Sequence, residues 1–200
     1  MILDTENQSF HDLYRLLIGT VMPRPIAFVS TVGPDGVFNL APFSFFAVLC
    51  NKPPMLGVSI SRPDGQKKDT LRNIEAGGDF VVSVVGEDLA QRMNMTAANY
   101  PPGVDEFQAA GLTPVKSDRV KSPRLAESPI NMECRLDRVL EFGPGPFSSF
   151  IIGEVVRFHI KDEFYQAGRI DFKKIKPIGR LAGDSYCRIS DIFEMKMPSV

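Results

Sequence analysis

The sequence predicts a mainly β protein, an antiparallel barrel with short helices added to it. Three observations predict this. Ile130, Met132, Cys134, Leu136, Leu140 and Phe142 alternate with Asn131, Glu133, Arg135, Asp137 and Glu141, the period of a strand with one apolar face. Gly143-Pro-Gly-Pro146 then turns that strand back into a second long one, Phe150–Ile160. The regular strand-then-helix alternation of a parallel sheet is missing, which leaves antiparallel closure as the way to bury the strands.

The elements follow in order. His11–Gly19 has apolar residues at helical spacing, with Ser9 placed to cap it. Pro23 and Pro25 end that helix and hold the backbone around Arg24 extended. Pro25–Val32 is rich in β-branched and aromatic residues and reads as a strand; Gly33-Pro-Asp-Gly36 turns it back into Val37–Ala41. Pro53-Pro54 breaks the chain before a strand over Met55–Ser61. Lys67–Glu75 predicts a short helix, capped by Asp69 or Thr70 and stopped by Gly77-Gly78. Asp79–Val85 reads as a strand buried on both faces, and Glu87–Asn99 as a helix ended by Pro101-Pro102. Residues 99–129, with Pro101, Pro102, Pro114, Pro123 and Pro129, predict a long ordered loop beside a binding site.

Composition narrows the chemistry. Lys plus Arg is 23 and Asp plus Glu is 24, a net charge of −1. That balance argues against nucleic acid as a partner, because such affinity rests on a basic surface. No apolar run reaches the roughly 20 residues that span a bilayer, and Met1–Ser9 lacks the order of a signal peptide, so a cytoplasmic protein is expected. With two histidines, His11 and His159, and no CxxC or HExxH, no metal site is expected. No phosphate loop and no nucleophile elbow occur. Cys50, Cys134 and Cys187 read as free buried thiols, and Val48-Leu49 places Cys50 in the core.

What remains is a set of small polar residues between apolar strand residues: Ser30-Thr31, Asn39 to Ser44, and Ser59-Ile-Ser61-Arg62. Such groups can hydrogen-bond a polar heterocycle whose faces the phenylalanines cover. Lys67-Lys68-Asp69-Thr70 adds cations and a hydroxyl at a helix start, which suits a phosphate. Strand hydroxyls and a solvated lysine pair are the plain alternative reading of the same residues.

The segment Pro23–Pro54, PRPIAFVSTVGPDGVFNLAPFSFFAVLCNKPP, resembles the opening of the flavin-reductase-like FMN-binding split-barrel family. The likeness continues through MLGVSIS, KKDTLRNI, YPPGVDEFQAAGLTP, ESPINMECRL, FIIGEVVRFHI and GRLAGDSYCRISDIFEMKMP, in order and over nearly the whole chain. The resemblance implies a single domain over residues 1–200, folded as a six-stranded antiparallel split β-barrel. It also implies a homodimer with FMN in a groove at its interface. Carried over by match, Thr31, Asn39, Ala41, Pro42 and Ser44 would line the flavin and its ribityl chain, and Ser59 and Ser61 would sit on the adjoining strand. Lys68 and Thr70, helped by Arg24, would hold the phosphate, and Tyr186 would close the site. The function implied is an FMN-dependent oxidoreductase, with NAD(P)H as a possible reductant. The alternative is a non-enzymatic FMN carrier that passes electrons to a redox protein partner.

The short nicotinamide-using reductases of this family carry Gly-Asp-His before the strand that reads FIIGEV here. This chain has Gly145-Pro-Phe-Ser148, which favours the flavoredoxin-like branch and leaves the donor open. His159, between Phe158 and Ile160 near a strand end, reads as solvent-facing or hydrogen-bonded rather than catalytic. The ring site it implies is neutral, and no residue is assigned to proton transfer. Phe43, Phe45 and Phe46 offer aromatic surface for a dimer interface.

Overall fold

The computed structural model describes residues 1–62, 65–101, 103–145 and 147–198. Pro102 and Pro146, read above as breakers, lie outside the described residues. Helix α1 spans Phe10–Thr20, and Ser9 caps it by accepting from the Asp12 N–H at 3.2 Å. Four strands follow: β1 (Ala27–Val32), β2 (Phe38–Phe43), β3 (Phe46–Asn51) and β4 (Pro54–Ser61). Helix α2 (Asp69–Gly77) ends on Gly78 in the left-handed conformation, and β5 (Asp79–Ser83) comes next. Short elements, α3 (Ala90–Met95), α4 (Glu106–Ala109), β6 (Pro114–Val115) and β7 (Arg124–Leu125), lead to the long pair β8 (Ile130–Phe142) and β9 (Ser148–Ile160). The chain closes with β10 (Tyr165–Gln166), β11 (Arg169–Ile170), α5 (Phe172–Ile175), β12 (Ile178–Arg180) and β13 (Tyr186–Arg188).

The main sheet has seven strands in the order β2-β1-β5-β8-β9-β4-β3, antiparallel throughout. Its two end strands, β2 and β3, follow each other in the chain through Ser44 and Phe45. The sheet therefore curls, and the Ser59 N–H donates to the Phe45 carbonyl at 2.8 Å across that corner. Six strands were expected; the seventh is β3, which pairs with β4 as a hairpin where Pro53-Pro54 was read as a break. Cys50 lies on this edge strand half-exposed, not in the core, because β3 has a neighbour on one side only. Cys187 is likewise half-buried, and only Cys134 is a core thiol, its pKa raised by burial.

β1 is buried on both faces. Ala27 and Val29 join a core with Leu56, Ile60, Leu71 and Phe80, while Phe28 joins a second core with Leu40, Met93 and Phe107. The second core is covered by α3 and by residues 99–129, a segment of short elements and turns rather than a plain loop. The helix expected over Glu87–Asn99 is a 3-10 turn followed by the six-residue α3.

On β8 the even alternation fails at both ends. Asn131 and Glu133 belong to the polar set but are buried, because the covering segment bonds to them. Asn131 Oδ1 accepts from the Leu125 N–H at 2.8 Å, and Glu133 accepts from the N–H groups of Asp118 and Arg119 at 2.9 and 2.6 Å. Beyond register shifts at Glu133/Cys134 and Leu136/Arg138, Val139 packs on the core while Leu140 and Phe142 are exposed.

Candidate functional site

A groove runs along β2. A cavity of about 420 Å³ lies at the Ser44 end, bounded by Arg24, Ser44, Arg180, Asp184 and Tyr186. A second, of about 250 Å³, lies at the start of α2, bounded by Asn39, Lys68, Thr70, Tyr100 and Glu106. Pro42, Phe43 and Ala97 wall both, so the two adjoin. The sequence predicts Asn39, Ala41, Pro42, Lys68 and Thr70 together, and the α2 cavity brings them together. It places Arg24, Ser44 and Tyr186 at the other one.

The floor near α2 is a closed hydrogen-bond network. Thr31 and Asn39 are opposite each other in the β1–β2 register. Asn39 Oδ1 accepts from Thr70 Oγ1 at 2.7 Å and Thr31 Oγ1 at 3.3 Å. Its Nδ2 donates to Glu106 Oε1 at 2.9 Å, and Glu106 Oε2 accepts from the Leu40 N–H at 3.0 Å. Thr31 is fully buried and also accepts from Asn73 at 3.0 Å. The hydroxyls of Thr31 and Thr70 thus spend their protons on Asn39 and fix its amide. They shape the groove rather than offer protons to it.

The start of α2 has the opposite character. The N-cap position is Lys68, and among the described residues no side chain caps the helix. The first-turn N–H groups therefore lack intrahelical acceptors. Lys67 is paired with Glu75 at 2.6 Å and Arg72 with Asp69, whereas exposed Lys68 has no ion-pair partner among the described residues. Backbone donors, the positive helix end and a lysine stand together at this helix start, groups that suit a phosphate.

Arg24, expected to help Lys68 and Thr70, lines the cavity at the Ser44 end and not the one at the start of α2. Its guanidinium donates to the carbonyls of Ile18, Val21 and Leu181, each at 2.8 Å, and Nε reaches Ser44 Oγ at 3.4 Å. Burial lowers its pKa, yet three carbonyls hold its charge in place. Ser59 and Ser61 wall neither cavity. Ser59 Oγ lies 2.7 Å from Ser148 Oγ, since β4 pairs with β9 there, and Ser61 is exposed. At the Ser44 end Tyr186 is held by Asn94 at 3.3 Å, with the Arg180 guanidinium over its ring at 4.4 Å.

The neutral site read from sequence is corrected by three groups. Glu106 lines the α2 cavity, and burial pushes its carboxyl above the usual range against the pull of its two N–H bonds. Arg180 and Asp184 line the other cavity. Their signal was present, as Asp105-Glu106-Phe107 and Gly183-Asp-Ser-Tyr186, but nothing in a linear pattern says which side of a loop faces a groove.

His159 is remote from both cavities, with Nε2 2.5 Å from Glu133 Oε1. Burial raises the Glu133 pKa, but the two N–H bonds and His159 outweigh it and leave it lowered. His159→Ala should leave the flavin reduction that the resemblance implies within about threefold of the parent. A loss of roughly 100-fold, the scale of a missing general acid, with flavin still bound, would contradict that.

Comparison with known proteins decides the family. The model described as "Flavin reductase like domain" matches residues 18–174. The chain belongs to the flavin-reductase-like family. A relative from Halalkalibacterium halodurans, the uncharacterized protein BH2278, is 43% identical over 100% of this chain and 98% of its own. The crystal structure of nitrilotriacetate monooxygenase component B from Bacillus cereus superposes with a TM-score of 0.96 at 40% identity, covering 98% of each chain. Pseudomonas fluorescens 2-nitrobenzoate 2-nitroreductase NbaA gives 0.90 at 30% identity, covering 99% of this chain and 96% of its own. Flavoredoxin of Desulfovibrio vulgaris shares the fold, at 0.79 and 20% identity over 98% and 97% of the two chains. This flavin-reductase-like chain has no helix, among the described residues, long and apolar enough to cross a membrane.

Proposed function

We propose that this chain is a single-domain oxidoreductase that binds FMN along β2 and passes electrons through it, taking them from NAD(P)H. The observation that carries this is the pair of adjoining cavities with an uncapped, lysine-bearing helix start at one end. In this reading Lys68 and the first-turn N–H groups of α2 hold the phosphate. Asn39, Ala41 and Pro42 run beside the ribityl chain, and Ser44, Arg180 and Tyr186 surround the ring. When bound, FMN would supply the electron chemistry, as an acceptor of hydride and a donor of electrons. The protein's part is placement: the Glu106–Asn39–Thr70 network holds the wall rigid, and Arg24 fixes the ring end by tying the end of α1 to Leu181.

The test is anaerobic bleaching of the bound flavin. NADH or NADPH should bleach the yellow protein within a stopped-flow trace. Flavin that is bound but bleached only by reduced ferredoxin would make the chain an electron carrier. A protein that binds no FMN would end both readings.

A homodimer belongs to the same proposal. Phe10 and Leu17 on α1, Val21 just after it, and Phe45, Val48 and Leu49 around β3 are all exposed, more apolar surface than isolated residues account for. A second copy can cover such faces by two-fold symmetry, protecting the β3 edge as well. Light scattering should give about twice 22.2 kDa. A monomer that still holds FMN at micromolar concentration would refute the assembly.

A further inference from the structure

A separate cavity, of about 380 Å³, lies at the open end of the β8–β9 hairpin and shares no residue with the two cavities along β2. Val115, Phe158 and Ile160 give it apolar walls. Arg124 and Lys161 are its charged groups, with His159 beside them, and no carboxylate lines it among the described residues. Next to it, the loop between β6 and β7 carries Lys116, Arg119 and Lys121, all exposed and none in an ion pair among the described residues. Residues 116–124 hold four cations and one acid, in a chain whose net charge is −1. That acid, Asp118, is taken by Arg157 at 2.7 Å. We propose that this end of the molecule docks a protein segment that carries several carboxylates around one apolar side chain. The proposal does not depend on the flavin reading.

The loop holds its cations in place through its backbone. Buried Glu133 accepts from the N–H groups of Asp118 and Arg119, and buried Asp79 accepts from those of Lys121 and Ser122 at 3.1 and 3.0 Å. Ser117 Oγ closes the loop by donating to the Ser122 carbonyl at 2.6 Å. The two buried carboxylates are thus spent on backbone, and the exposed side chains of Lys116, Arg119 and Lys121 take no part in that anchoring. Cations this close repel one another, and carboxylates from a partner would relieve that repulsion. Arg124 is fixed as well, its Nε and Nη2 donating to the Lys116 carbonyl at 3.2 and 2.9 Å, which leaves Nη1 without a partner among the described residues. A loop anchored in this way loses little freedom when a partner binds. The cavity between the cations decides the class of that partner. Phe158 is 52% exposed at its wall, an aromatic contact for an apolar side chain. A protein segment offers such a side chain among carboxylates, whereas a phosphate backbone or a lipid headgroup offers only the charge.

The experiment is fluorescence anisotropy of a fluorescein-labelled peptide, one leucine between two runs of three glutamates, titrated with the purified full chain. At about 20 mM salt the peptide should bind with a Kd of about 100 μM, and about 200 mM salt should weaken it at least tenfold, because exposed charges are screened. Lys116→Glu combined with Lys121→Glu should weaken binding about tenfold. Both side chains are exposed and make no ion pair among the described residues, so this variant should fold as the parent does. Phe158→Ala in the protein, or glycine for leucine in the peptide, should each cost about fivefold. No binding at about 20 mM salt, or equal binding by the charge-reversed variant, would overturn the docking surface. Equal binding of the glycine peptide would overturn the apolar anchor. A thymidine oligonucleotide or a phosphatidylserine vesicle that binds more tightly than the peptide, and is lost in the same variant, would overturn the assignment to a protein partner. FMN titration of the same variants reads the flavin site separately, and a chain that binds no flavin would leave the peptide result intact.

Discussion

Lys68→Ala combined with Thr70→Ala should weaken FMN binding by roughly 100-fold: a charge-assisted hydrogen bond from Lys68 is worth about tenfold or more, and loss of the Thr70 hydroxyl loosens the wall beside it. The two substitutions act differently. Lys67 and Arg72 are held by Glu75 and Asp69, so Lys68 is the cation at this helix start with no ion-pair partner among the described residues. Removing it leaves the α2 N–H groups alone to hold the phosphate. Thr70 donates to Asn39 Oδ1 at 2.7 Å, so its loss frees that amide to rotate away from Glu106. The wall beside the ribityl chain then loosens. Riboflavin has no phosphate, so it should bind the parent less tightly than FMN and should lose little on Lys68→Ala. Fluorescence titration of both flavins against the parent, each single variant and the pair separates the effects. Equal affinity of the parent for FMN and riboflavin would show that the phosphate is not held there.

Arg24→Ala should cost the largest amount of stability, about 3 kcal/mol or more, since hydrogen bonds to charged groups contribute roughly 1.5–3 kcal/mol each. Arg24 is 6% exposed, and its guanidinium meets carbonyls from the end of α1 and from Leu181. Its backbone adds a two-way bridge to Arg180, with N–O distances of 2.9 and 2.8 Å. Truncation leaves those carbonyls without donors and unties the first helix from the closing hairpin that carries Tyr186. At roughly 2–4 °C per kcal/mol for a chain of this size, the midpoint should fall by about 10 °C. Arg24→Lys keeps the charge but loses the fork, and should recover only part of the loss. A midpoint within about 2 °C of the parent for Arg24→Ala would show that these contacts add nothing net. Because the ring-end cavity depends on the same tie, Tyr186 should become more mobile in this variant.

The sequence by itself determined the β character, the long β8–β9 hairpin, Ser9 as a cap and the lysine-bearing start of α2. These are local properties: alternation, turn residues and capping act over a few positions, and a linear pattern records them. It also carried the family, through motifs spread over most of the chain. Tertiary structure decided the rest. Glu106 is 67 residues from Asn39 and meets it only because residues 99–129 fold across the β1–β2 face. Arg24, flanked by two prolines, reads equally well as an anion contact or a structural tie. The carbonyls that claim it come from α1 and from a residue 157 positions away. Asn131 and Glu133 look like solvent-facing residues of an amphipathic strand, yet they are buried by the segment whose N–H groups they accept. In each case a polar side chain's role is set by which unpaired backbone group it meets, and that partner comes from a distant part of the chain. Burial then makes the pairing obligatory, since a polar group removed from water without a partner is costly.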